Sequence, residues 1–131
     1  MRRILIDTNI YAAFKRNDPL VVEILRTVDY IGMSVIVLGE LYSGFKGGDR
    51  ERKNRVELER FLDSSRVEIL PVDDEVAEYY SKIYWLLKGK GKPIPTNDIW
   101  IAATAIKNGL FLLSYDDHFK EIENLYLYNW R

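Results

Sequence analysis

Four acidic residues stand at the ends of apolar segments in this chain: Asp7 in ILIDTN, Glu40 in VIVLGELYSG, Asp98 in TNDIWIAATA and Asp116 in FLLSYDD. Segments of this kind build a core, so acids attached to them are carried close to buried backbone. If they converge, they cannot all stay ionised unaided. Two carboxylates ~4 Å apart repel by about 4 kcal/mol at an effective dielectric near 20, so such a cluster either protonates in part or recruits a cation. A hard divalent metal is the simpler resolution.

The segments alternate in type. Arg3-Ile4-Leu5-Ile6 is a short β-branched run of the kind buried on both faces of a parallel sheet. Ile10 to Lys15 reads as helix, and Asp18-Pro19 opens another through about Val28, with Asp18 as N-cap and Pro19 at the first helical position. Tyr30 to Met33 is a second strand. Ser34 caps a helix carrying Val35, Leu38, Leu41, Tyr42 and Phe45, which ends near Gly47-Gly48 and contains Glu40. A charged helix from about Asp49 to Ser64 precedes a third strand, Val67 to Leu70. Asp73 caps a long helix to about Leu87, which KGKGKPIPT breaks. Thr96 is expected to cap a helix from Asn97 to Asn108, closed by Gly109. Phe111 to Ser114 is a fourth strand, Asp117 to Glu121 a short helical turn, and Leu125 to Tyr128 a candidate fifth strand.

Strands separated by helices imply right-handed βαβ units and a parallel sheet covered on both faces. In such folds function sits outside the carboxyl ends of the strands. Asp7 follows the first strand, Asp116 follows the fourth by two residues, Asp98 lies in the first turn of a helix, and Glu40 enters from the helix after the second strand. The topology therefore allows all four acids to meet at one sheet edge.

Composition removes several alternatives. The chain has 131 residues, expected to form one domain over 1–131, with 47% hydrophobic and 13% aromatic content. Without cysteine there is no disulfide, zinc-thiolate site or thiol nucleophile. A single histidine, His118, excludes a multi-histidine metal site and reads as a surface turn residue. Net charge is −1, so a nucleic-acid partner must be held by a local patch. No apolar run approaches the ~18 residues of a membrane span, and Met1-Arg2-Arg3 leads into a strand rather than a signal-peptide core, so the expected location is cytoplasmic, with no membrane association.

LIDTNI, the helical Glu40, NDIWIAATAI and LLSYDDHF together resemble the PIN-domain nucleases, especially the VapC-type toxins of prokaryotic toxin–antitoxin pairs. The likeness spans the chain, with Ser114 standing where many members have threonine. It implies a PIN-like three-layer α/β/α sandwich around a short, mainly parallel sheet of four to five strands. It also implies a metal-dependent ribonuclease site, by matching motif Asp7, Glu40, Asp98 and Asp116, together with a homodimer and a small antitoxin whose tail blocks that site.

The chemistry of the residues agrees. Mg²⁺ and Mn²⁺ prefer oxygen ligands and keep several waters, so a few carboxylates and a substrate phosphate suffice. Asp7 and Asp98 are the expected direct ligands, Glu40 and Asp116 hold water or a second ion, and Thr8, Asn9 and Ser114 orient the carboxylates. Singly, Asp7 also fits a helix cap and Asp98 a helix-dipole acid. Arg50, Arg52, Lys53 and Arg55 read as a solvated helix face. Lys88, Lys90 and Lys92 lie in a glycine-containing stretch shortly before Asp98 that could approach an RNA backbone. Alternative functions are a phosphate-accepting receiver-type domain, which would need a paired acid near the first strand, and a PIN-like scaffold that binds RNA without cutting it.

Overall fold

Residues 2–130 are described by a computed structural model of the chain. Met1 and Arg131, the ends of the expected 1–131 domain, lie outside the described residues. The elements run β1 (Arg3–Ile6), α1 (Thr8–Lys15), α2 (Pro19–Thr27), β2 (Tyr30–Ser34), α3 (Val35–Lys46), α4 (Glu51–Leu62), β3 (Val67–Leu70), α5 (Asp74–Lys90), α6 (Thr96–Asn108), β4 (Phe111–Leu113) and a 3₁₀ turn over Asp117–Glu121. All strand pairings are parallel, in the order β3-β2-β1-β4. Ile4, Leu5 and Ile6 of β1 are fully buried, as a strand covered on both faces requires.

The strand order decides where chemistry can sit. From β1 the chain steps outward to β2 and β3, then returns through α5 and α6 to place β4 on the other side of β1. The connections leaving β1 and entering β4 thus diverge, which opens a crevice at the carboxyl ends of these two strands. Ile6 pairs with Leu113, so the next residues out, Asp7 and Ser114, face each other across the mouth of that crevice.

Local signals explain most boundaries. Asp7, Asp18, Ser34 and Asp73 each accept a backbone hydrogen bond as N-cap of the helix that follows. Gly91 and Gly109 end α5 and α6 in the left-handed conformation. Ala102, Ala103 and Ala105 bury the inner side of α6 without bulk.

Three expectations change. Thr96 does not cap α6: Pro95 occupies that position, Thr96 is the first helical residue, and no side chain caps the helix. Pro95 itself takes the non-helical cap backbone (φ −56°, ψ 142°), so the chain enters the helix one residue early. The α5 helix does not stop at Leu87 but continues through Gly89 to Lys90, where Gly91 caps it in the left-handed conformation; one glycine costs only about 1 kcal/mol in a helix, and Lys90 at its end is held by Glu121. The fifth strand reduces to one parallel bridge between Leu112 and Leu127, because the three-residue β4 offers little ladder to extend. Among the described residues, no helix is long and apolar enough to cross a membrane.

Leu5 is central to the sheet and fully buried. Leu5→Ala is expected to lower unfolding free energy by about 2–5 kcal/mol, measured by urea denaturation; a loss below about 1 kcal/mol would contradict this central position.

Candidate functional site

The crevice is a cleft of about 400 Å³ lined by Asp7, Glu40, Asp98 and Asp116, with Thr8, Asn9 and Asn97 on its wall. All four acids singled out in the sequence therefore meet. They arrive on different elements: Asp7 as N-cap of α1, Glu40 from the second turn of α3, Asp98 from the first turn of α6, and Asp116 from the turn after β4.

Each carboxylate is held by neighbours. Asp7 is 4% exposed; its Oδ1 accepts from the Ile10 amide at 3.0 Å and its Oδ2 from the Ser114 hydroxyl at 2.5 Å. Asp7 is thus a helix cap and a cleft acid at once, one oxygen for each role. The Ser114 oxygen in turn accepts the amide of Asp116 at 2.9 Å, so one buried hydroxyl couples two of the acids. Glu40 is clasped from two sides, by the Thr8 hydroxyl at 2.5 Å and the Asn97 amide at 3.3 Å. Among the orienting groups expected, Thr8 and Ser114 hold carboxylates; Asn9 lines the cleft without doing so among the described residues.

Burial makes this charge cluster uncomfortable. The Asp7 carboxyl is pushed from 3.8 to about 6, chiefly by desolvation and further by Asp116 and Asp98, against the hydrogen bonds from Ser114 and Ile10. Asp98 is also raised, first by desolvation and then by Asp116 and Glu40, with His118 opposing. The set is made of hard oxygen donors, two of them reluctant to ionise without a counter-charge. That is the donor chemistry that suits a divalent cation such as Mg²⁺ or Mn²⁺.

His118 is not the surface turn residue expected. Its Nε2 lies 2.8 Å from Asp98 Oδ2, close enough for charge pairing although not aligned as a hydrogen bond. Asp98, Asp116 and His118 offer potential ligand atoms all within 4.8 Å of one another. The 3₁₀ turn produces this: Phe119, fully buried, anchors the turn and swings the preceding residue inward. A buried aromatic directly after the histidine was the signal available in the sequence. Asn97, inside the quoted NDIW motif, is the other group missed. Lys88, Lys90 and Lys92 do not line the cleft; Lys90 binds the carbonyl and carboxylate of Glu121, and Lys88 lies over the ring of Trp85.

Comparison with known proteins gives a consistent picture. The family model for the PIN domain matches residues 4–125. Ribonuclease VapC2 of Rickettsia felis is 36% identical, the match covering 96% of this chain and 96% of that protein. The solved structure of VapBC2 from Rickettsia felis bound to a DNA fragment from its promoter superposes with a TM-score of 0.89 at 31% identity, covering 98% of this chain and 99% of that one. The structure of VapBC-1 from nontypeable Haemophilus influenzae gives 0.87 at 28% identity, over 98% of each chain.

The displaced ionisation of Asp7 has a measurable sign. Between pH 3.8 and about 6 the unfolded chain gives up the Asp7 proton before the folded one. Stability from this group therefore falls as pH rises through that window and stays low above it. The displacement corresponds to roughly 3 kcal/mol, at about 1.4 kcal/mol for each tenfold change in ionisation. In chelator, Asp7→Asn is expected to be more stable than the parent at neutral pH, by up to that amount, with the difference vanishing near pH 4. Urea unfolding at both pH values checks this; a variant less stable at neutral pH would refute the desolvation account.

Proposed function

The chain belongs to the PIN-domain family, and from that premise we propose that it is a metal-dependent endoribonuclease, the toxin of a type II toxin–antitoxin pair, hydrolysing RNA phosphodiester bonds with Mg²⁺ or Mn²⁺. The observation that carries the reading is the convergence of Asp7, Glu40, Asp98 and Asp116 on one cleft at the crevice between β1 and β4. The names of the relatives, Ribonuclease VapC2 and the VapBC structures, support it.

In this reading Asp7 and Asp98 are the direct metal ligands, and Glu40 and Asp116 orient water or take part in holding a second ion. When bound, the cation neutralises charge on the scissile phosphate and lowers the pKa of water. The chain contributes the rest. Ser114 and the Ile10 amide fix both oxygens of Asp7, so its carboxylate needs no reorganisation as substrate arrives. Thr8 and Asn97 hold Glu40 at a set angle across the cleft. The amino ends of α1 and α6 turn their backbone dipoles towards the carboxylates and offset part of their repulsion.

The partners follow from charge and surface. An acidic cleft suits an arginine carried on a flexible antitoxin tail, since a guanidinium can bridge two carboxylate oxygens. A homodimer would cover the exposed aromatic face of α5, where Tyr84 and Trp85 are 37% and 64% exposed.

Purified protein is expected to cleave single-stranded RNA with Mg²⁺ or Mn²⁺ and to stop in chelator. Asp98→Asn and Asp7→Asn should reduce cleavage to background with the fold intact by circular dichroism, and Ser114→Ala should cost about 10–100-fold. Undiminished cutting in chelator, or by Asp98→Asn, would remove the metal-carboxylate mechanism. Growth arrest on expression, relieved by the adjacent antitoxin gene, tests the toxin role separately.

A further inference from the structure

A second cleft, of about 560 Å³, opens along α1 where that helix meets α3 and α4. Its charged lining is Lys15, Arg16, Arg50, Lys53 and Glu57, four cations to one acid in a chain whose net charge is −1. Glu57 pairs with Lys15 at 3.4 Å; Arg50 and Lys53 form no ion pair among the described residues, and Arg16 acts on Asp18 without forming a close one. Local cation excess of this kind attracts anions irrespective of the overall charge.

Tyr11 supplies an independent sign of a ligand. It is 2% exposed, packed edge-on against Phe61, and its hydroxyl is buried against the same cleft with no hydrogen-bond partner among the described residues. A buried hydroxyl without a partner is costly and rare. Burial, with Glu57 adding, pushes its ionisation up to about 12, so it remains an O–H donor at neutral pH. The acid beside it is Glu57, which Lys15 already pairs; the other charges on the wall of the cleft are cations, so the lining as a whole, with this donor on it, is matched by an anion.

The position of the cleft selects among anions. It is built on the same two helices as the acidic site: α1 presents Thr8 and Asn9 to the acids and Tyr11, Lys15 and Arg16 to the basic cleft, while α3 presents Glu40 to one and Leu41 and Phe45 to the other. At 1.5 Å rise per residue, Thr8 and Lys15 are only about 10 Å apart along the helix. A strand whose scissile phosphate lies in the acidic cleft can reach the basic one within a few nucleotides. We propose that the cleft around Tyr11, Arg16, Arg50 and Lys53 is a phosphate-binding subsite for the RNA strand flanking the cleavage point. This rests on the ribonuclease reading. The site binds backbone, not bases, and so adds affinity and register without sequence preference. Arg50 and Lys53, which read in sequence as a solvated helix face, acquire a purpose from the fold.

The test uses the full chain carrying Asp98→Asn, to stop cleavage, and a labelled mixed-sequence single-stranded oligoribonucleotide in Mg²⁺, with Kd followed against salt. Adding Arg50→Ala and Lys53→Ala is expected to weaken binding about tenfold at moderate salt and to lower the salt slope by about 1.4, at about 0.7 for each phosphate contact on a single strand. Lys82→Ala, which removes a cation elsewhere, should leave the slope unchanged. Tyr11→Phe should weaken RNA binding several-fold while its thermal midpoint holds or rises, because the lost hydroxyl had no protein partner; a merely structural tyrosine would show the opposite pattern. A full slope in the Arg50/Lys53 variant, or unchanged binding by Tyr11→Phe, overturns the subsite. So does a result in which the variants lose affinity for a polyglutamate peptide but not for RNA, which would assign the cleft to an acidic protein partner. If the unsubstituted protein nevertheless cleaves RNA in those cases, only the subsite falls; absence of both cleavage and binding removes the ribonuclease reading with it.

Discussion

The hydroxyl of Ser114 sits between the Asp7 carboxylate and the Asp116 amide, and the whole cleft is arranged around that junction. It exists because β1 and β4 are parallel neighbours in a register that pairs Ile6 with Leu113. Strands 107 residues apart in their bonded ends are thereby made adjacent, and the first polar residue beyond each is compelled to face the other. Slippage by one residue would turn Asp7 or Ser114 to the opposite face. The buried runs of β1 and β4, anchored by core contacts on both sides, prevent it. Sheet pairing is thus the device that sets the separation of the first two cleft residues, and α3 and α6 bring the other acids to a place already fixed.

Such an arrangement works against stability. A carboxylate as dry as Asp7 opposes folding by roughly 3 kcal/mol when ionised, a sizeable part of the 5–15 kcal/mol typical of domains. The molecule tempers the strain with donors: serine and a backbone amide for Asp7, threonine and asparagine for Glu40. The donors do not abolish the repulsion. They fix the positions of the oxygens, and the remaining repulsion is what a bound cation would relieve.

The core-forming runs and the four acids were legible because each announces itself within a few residues. Arg3 to Ile6 and Val67 to Leu70 could be delimited directly, as could the caps Asp7, Asp18, Ser34 and Asp73, since a cap is a local hydrogen bond. Features decided by distant packing were not. The continuation of α5 through Gly89 ends on Lys90, whose partner Glu121 lies 31 residues on, and the shrinkage of the last strand to a bridge at Leu127 depends on how little of β4 is left to pair. His118 reads as a surface group until Phe119 is seen to plunge into the core. Asn97 needed the knowledge that α3 would bring Glu40 opposite the start of α6. The basic cleft was illegible for the same reason: Lys15 and Lys53 are far apart in sequence and are joined only by the packing of α4 near α1.

The buried alanines of α6 set how such a molecule can change over time. Ala102, Ala103 and Ala105 are fully buried, so a larger side chain at any of them would press α6 away from what it packs on and shift Asp98 and Asn97 from their partners. The α4 helix lies at the other extreme, with Leu58 alone in its deep interior and charged groups over most of its surface. The inner face of α6 is closed to bulkier side chains, while the exposed positions of α4 are free of that constraint. Divergence in what such a protein recognises can then accumulate on α4 while the chemistry behind it is inherited unchanged.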